Sequence, residues 1–85
     1  MSFSKYTLEE FESCLKTSIN VWKESTNIKE LNEQLYTITD YYLHVDFPME
    51  PIAMFNHKIF SRFEYVARHL NIKITELERR ENSIA

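Results

Sequence analysis

Residues 27–45, NIKELNEQLYTITDYYLHV, decide the fold. Within them Ile28, Leu31, Leu35, Ile38, Tyr42 and Val45 recur three and four residues apart, which puts all six on one side of a helix with 3.6 residues per turn. A seam sustained over more than two heptads is a packing surface and requires other helices to cover it. Asn27, with Glu30 three residues on, supplies the side chains that cap the start of such a helix.

The flanking sequence offers those partners. Thr7-Leu8-Glu9-Glu10 has the spacing of a capping box, with the threonine oxygen on the N3 amide and the glutamate reaching back. Behind it Leu8, Phe11, Leu15, Ser18 and Trp22, with Ile19 beside them, form one stripe, which predicts a helix over about residues 8–24, closed by Ser25-Thr26-Asn27. On the far side, Pro48 and Pro51 interrupt the seam, because each proline disfavours helical geometry in the residue before it, and Pro51 suits the first turn of a new helix. A third helix then reads Ile52, Phe55, Ile59, Phe63, Val66 and Leu70, widened by Phe60 and Ala67. Asn71 tolerates the left-handed conformation that ends helices, and Thr75 with Glu78 repeats the capping spacing. A short fourth helix over about 75–82, anchored by Leu77 and Ile74, follows from this; the other reading is that the third helix simply continues. The expected architecture is all-α: one domain over residues 1–85, a small three-helix antiparallel bundle with a short C-terminal helix or helical tail.

Composition agrees. The chain has no glycine in 85 residues, where average usage of ~7% would give about six. Hairpins that need positive φ, and phosphate loops that need close backbone approach, are therefore disfavoured. Hydrophobic residues make up 44%, too many for a disordered chain. The net charge of −3 is uneven: residues 1–57 carry four Lys against nine Asp or Glu, and residues 58–85 carry six Lys or Arg against four Glu. An acidic N-terminal half suits a basic partner. One cysteine, Cys14, makes no intrachain disulfide, nothing resembles a signal peptide, and no apolar run approaches a membrane span. The expectation is a cytoplasmic protein without membrane contact.

Catalytic and metal chemistry finds little support in the spacing. His57 and His69 are twelve residues apart on one predicted helix, about 18 Å along its axis and too far to share an ion. His44 and Asp46 lack a third ligand nearby. Cys14 falls near the buried stripe of the first helix and reads as a small core residue, not a thiolate. Glu9, Glu10 and Glu12 complement a helix N-terminus. Three helices of this length leave little room for a small-molecule cavity. The expectation is no enzyme, no cofactor, no metal and no small-molecule substrate.

Two patterns carry function. Residues 63–82 contain Ala67, Leu70, Asn71, Ile72 and Leu77 at the places that an inner small residue, a first apolar residue, a turn and two later apolar residues take in the helix-turn-helix of DNA-binding proteins, and the stretch resembles that motif. The resemblance implies a nucleic-acid-binding regulator in which the segment from Ile74 enters the major groove and Arg68, Lys73, Arg79 and Arg80 meet phosphates. Glu76 and Glu78 put opposing charge on that segment. The second pattern is on the 27–45 helix, which carries Tyr36 and Leu43 away from its seam, flanked by Glu33 and Asp40, with Tyr41 nearby and Phe47 continuing the line. Aromatic anchors rimmed by charge are what protein interfaces enrich. The leading expectation is a small acidic helical module that occupies the surface of a basic, nuclease-like protein, as an inhibitor, immunity protein or antitoxin does. The alternatives are the nucleic-acid-binding regulator and a homodimeric structural adaptor.

Overall fold

The computed structural model describes residues 5–46 and 52–83, the side chains of 52–56 excepted, and over that range the chain is three helices: α1 (Leu8–Glu24), α2 (Ile28–His44) and α3 (Ile52–Ser83). There is no strand among the described residues, only an isolated parallel bridge between Tyr6 and Val45.

The first two helices begin where their caps place them. Thr7 Oγ1 accepts the Glu10 amide at 3.1 Å while Glu10 Oε1 accepts the Thr7 amide at 2.9 Å. Asn27 Oδ1 accepts the Glu30 amide at 3.1 Å. Each bond satisfies an amide that the first helical turn leaves without an internal partner. Both helices stop without a left-handed residue: the C-caps Ser25 (φ −81°, ψ 140°) and Val45 (φ −78°, ψ 145°) are extended. At the end of α2 the missing donors come from the N-terminal segment, whose Lys5 and Tyr6 amides both donate to the His44 carbonyl, at 2.8 and 3.2 Å.

The core is the seam of α2 closed by the other two helices. Phe11, Leu15, Leu31, Ile38, Ile59, Val66 and Leu70 are buried together, with Leu35, Tyr42 and Phe63 packed at the edge. Tyr42 stacks on Phe63 at 4.4 Å between ring centroids, and Phe11 tilts against Tyr42 at 6.2 Å. Ser18, fully buried in the α1 stripe, donates to the Cys14 carbonyl and accepts from Gln34 Nε2, both at 2.8 Å. A buried hydroxyl with both roles filled avoids the penalty of an unsatisfied polar group.

The separate fourth helix expected over about 75–82 does not form, because α3 runs without interruption through Asn71 and Thr75 to Ser83. Ile59, Phe63, Val66, Leu70, Ile74 and Leu77 follow one another at helical spacing, and five of the six are buried. A break at Asn71 would have turned Ile74 and Leu77 away from that stripe. Asn71 itself is exposed, on the side away from the core.

Candidate partner-binding surface

On α2 the residues left over from the seam stand on one outward side. Tyr36 is 77% exposed and Leu43 67% exposed, seven residues and so two turns apart. Glu33 is exposed one turn before Tyr36, and Lys29, Asn32, Glu33, Tyr36 and Thr37 line an open hollow of about 480 Å³. Two large apolar surfaces at this spacing do nothing for the core, since Leu31, Ile38 and Val45 already fill the inward side.

Two other residues expected on that surface are engaged from within. Asp40 Oδ2 accepts a 2.6 Å hydrogen bond from the Tyr6 hydroxyl, lies 3.9 Å from Lys5 Nζ, and its Oδ1 lies 3.1 Å from His44 Nδ1. The Tyr6 hydrogen bond, helped by the charges of Lys5 and His44, holds the Asp40 carboxyl below its ordinary value. The same bond pushes the Tyr6 phenol up to about 12. Tyr41 is half-buried beneath Tyr6, the rings nearly parallel with centroids 3.8 Å apart. Asp40 and Tyr41 thus form the seat of the N-terminal segment, with one edge of Asp40 at the surface. Phe47 lies outside the described residues.

Tyr6 is the member of this arrangement that sequence reasoning missed. Its position just before the Thr7 cap suits a hydrophobic staple to Phe11, whereas its hydroxyl bonds Asp40, 34 residues away, and its ring stacks on Tyr41. No local pattern encodes such a contact.

The basic residues of α3 do not form one patch. Arg68 pairs with Glu64 at 3.1 Å, and it shares with Arg79 and Glu76 a groove of about 620 Å³. Among the described residues, all of the groove's lining comes from α3 itself. Lys73 lies on another side of the helix, where its ammonium donates to the Trp22 carbonyl at 2.8 Å. That carbonyl is in the last turn of α1, where no later helical amide donates to it and a cation complements the helix dipole. Arg80, seven residues beyond Lys73, is exposed on the same side as Lys73. The turn that the helix-turn-helix resemblance requires at Asn71 is absent, and with it the two-helix geometry by which such motifs enter a groove.

Other chemistry is sparse. Among the described residues no group of three His, Cys, Asp or Glu side chains comes together to hold a metal ion, and no helix is long and apolar enough to cross a membrane. Cys14 is buried, and that burial pushes its thiol up, away from the thiolate. Compared with protein-family models, curated proteins and solved structures, the chain gives no significant match.

Proposed function

We propose that this chain is a protein-binding module that acts by covering a basic partner's surface with the outer side of α2. The observation that carries this reading is the exposure of Tyr36 and Leu43 at a two-turn spacing on a helix whose core face is already complete. Leaving both in water forgoes the stabilisation that burying them in a partner supplies, roughly 1.5–3 kcal/mol for a side chain of this size. Glu33, exposed beside them and next to Lys29, supplies the negative charge at the rim that suits a basic contact on the partner. Charge at such a rim acts mainly on encounter rate, while the aromatic and aliphatic anchors set the lifetime of the complex. Stoichiometric inhibition of a nuclease-like protein, in the manner of an inhibitor, immunity protein or antitoxin, is the activity this surface suits.

The test compares wild type with the Tyr36→Ser/Leu43→Ser double variant, each immobilised and exposed to native extract at about 50 and 500 mM salt, where screening lengths differ severalfold. A basic protein retained stoichiometrically by wild type alone, and less at high salt, is the expected result. Retention of the same proteins by both, or no stoichiometric protein from either, overturns the reading. Circular dichroism should be unchanged in the variant, because neither side chain belongs to the core.

A further inference from the structure

The two grooves that flank α1 differ in chemistry. Toward α2 the groove is polar, lined by Glu10, Ser13, Thr17, Gln34 and Thr37 around Cys14 and Tyr41. Toward α3 it is apolar: Leu15, Ile19, Tyr65 and Val66, with Ser61 and Arg62, line a hollow of about 230 Å³. At its far end Trp22 meets Tyr65 edge to face at 5.8 Å and His69 at 4.2 Å. Leu15 and Val66 are its buried floor, while Tyr65 is 54% exposed and Ile19 and Trp22 are half-buried, so the strip is open at those three side chains.

The rim of this strip runs against the overall charge of the chain. On α1, Lys16, Ile19 and Lys23 fall three and four residues apart, as do Lys58, Arg62, Tyr65 and His69 on α3, so each set shares one side of its helix. All four Lys and Arg side chains are exposed, and Lys23 Nζ lies 5.8 Å from the Trp22 ring centroid. Glu12, on α1 beside the strip, is paired with Arg62 at 3.5 Å. A chain of net charge −3 thus gathers four of its ten Lys and Arg around one apolar groove.

We infer that the α1–α3 groove docks an acidic amphipathic helix of another protein, laid between the two helices with its apolar side on Ile19, Trp22 and Tyr65 and its carboxylates toward Lys16, Lys23, Lys58 and Arg62. Helix-in-groove recognition uses anchors on one side of the guest and charges at its flanks. The site is separate from the outer side of α2 and stands or falls independently of it.

A pair of tryptophan-free peptides tests this: about 18 residues each, near 27 Å as helix, with leucines on one side and flanks that are all glutamate in one and all lysine in the other. The single tryptophan, Trp22, reports occupancy through its emission. The expected result is saturable binding of the glutamate peptide, at least about tenfold weaker for the lysine peptide and weakened by salt. Amide shifts should centre on Ile19 and Tyr65, and Lys16→Glu/Lys23→Glu, which alters exposed positions only, should remove the preference for glutamate. Equal affinity of the two peptides, no saturable binding, shifts centred on α2, or an unchanged preference in the charge-reversed variant overturns it. So does self-association of the protein alone that the same variant abolishes, since the occupant is then a second copy.

Discussion

A phenol and a carboxylate 2.6 Å apart hold the N-terminal segment on α2, and each alters the other's titration. The folded chain keeps the Tyr6 proton more tightly than the unfolded one does, with a phenol pushed from 10.0 up to about 12. Its contribution to stability is therefore complete below pH 10 and lost as pH rises toward the folded value. Asp40 behaves in the opposite sense: the Tyr6 hydrogen bond favours its ionised form, so its contribution is complete above its ordinary value of 3.8 and is lost as pH falls below it. The tether is thus strongest between the two limits. An ultraviolet titration of the tyrosines should show a late step toward about pH 12 that Tyr6→Phe removes. A late limb identical in wild type and Tyr6→Phe would mean that the bond does not persist in solution. The Tyr6→Phe variant should also release Asp40 toward its ordinary pKa, since the largest cause of the shift is gone.

At the scale of the element, the three helices differ in how local their signals are. Thr7 with Glu10 and Asn27 with Glu30 act within one turn, and the helices they announce begin where the side chains place them. Asn71 and the Thr75–Glu78 pair are signals of the same kind and were overridden, because Ile74 and Leu77 continue the buried stripe and repay the helical conformation. An exposed asparagine in a helix interior is a poor helix former, costing up to about 0.7 kcal/mol relative to alanine. Asn71→Ala should therefore raise the melting temperature by a few degrees and Asn71→Gly should not. The opposite order, glycine above alanine, is what a left-handed cap at residue 71 requires, so thermal melts of the two variants discriminate. The surface of α2 was legible for a related reason: Tyr36 and Leu43 are surplus to a seam that is itself local. Tyr6 on Asp40 and the α1–α3 groove were not, because they come into being only when segments remote in sequence pack together. The missing glycine explains the ends of α1 and α2: both close through extended residues, and α2 borrows backbone amides from the N-terminal segment.

The whole molecule is long for its size, 52 × 22 × 19 Å with a radius of gyration of 14.8 Å, where a compact chain of 85 residues has about 12 Å. The cause is α3, whose 32 residues run past two helices of 17 each, so that residues 78–83 are exposed throughout. Such a shape spreads a small core thinly: the described residues contribute eleven buried apolar side chains, and Leu70, fully buried, lies midway along the α3 stripe. A chain of this length has a total stability of about 4–13 kcal/mol, and removing a buried leucine side chain costs about 2–5 kcal/mol. Leu70→Ala thus spends a large share of what holds the bundle together, and a loss of about 3 kcal/mol corresponds to a fall of roughly 12–24 °C in melting temperature. Tyr36→Ala and Leu43→Ala act on the opposite side of α2 and should stay within about 0.5 kcal/mol of wild type. Thermal denaturation of the three variants measures how far core and surface are separated in a molecule this slender. If Leu70→Ala melts within a few degrees of wild type, α3 is not packed as a single stripe; if Tyr36→Ala or Leu43→Ala melts as early as Leu70→Ala, the outer side of α2 is structural and unavailable to a partner.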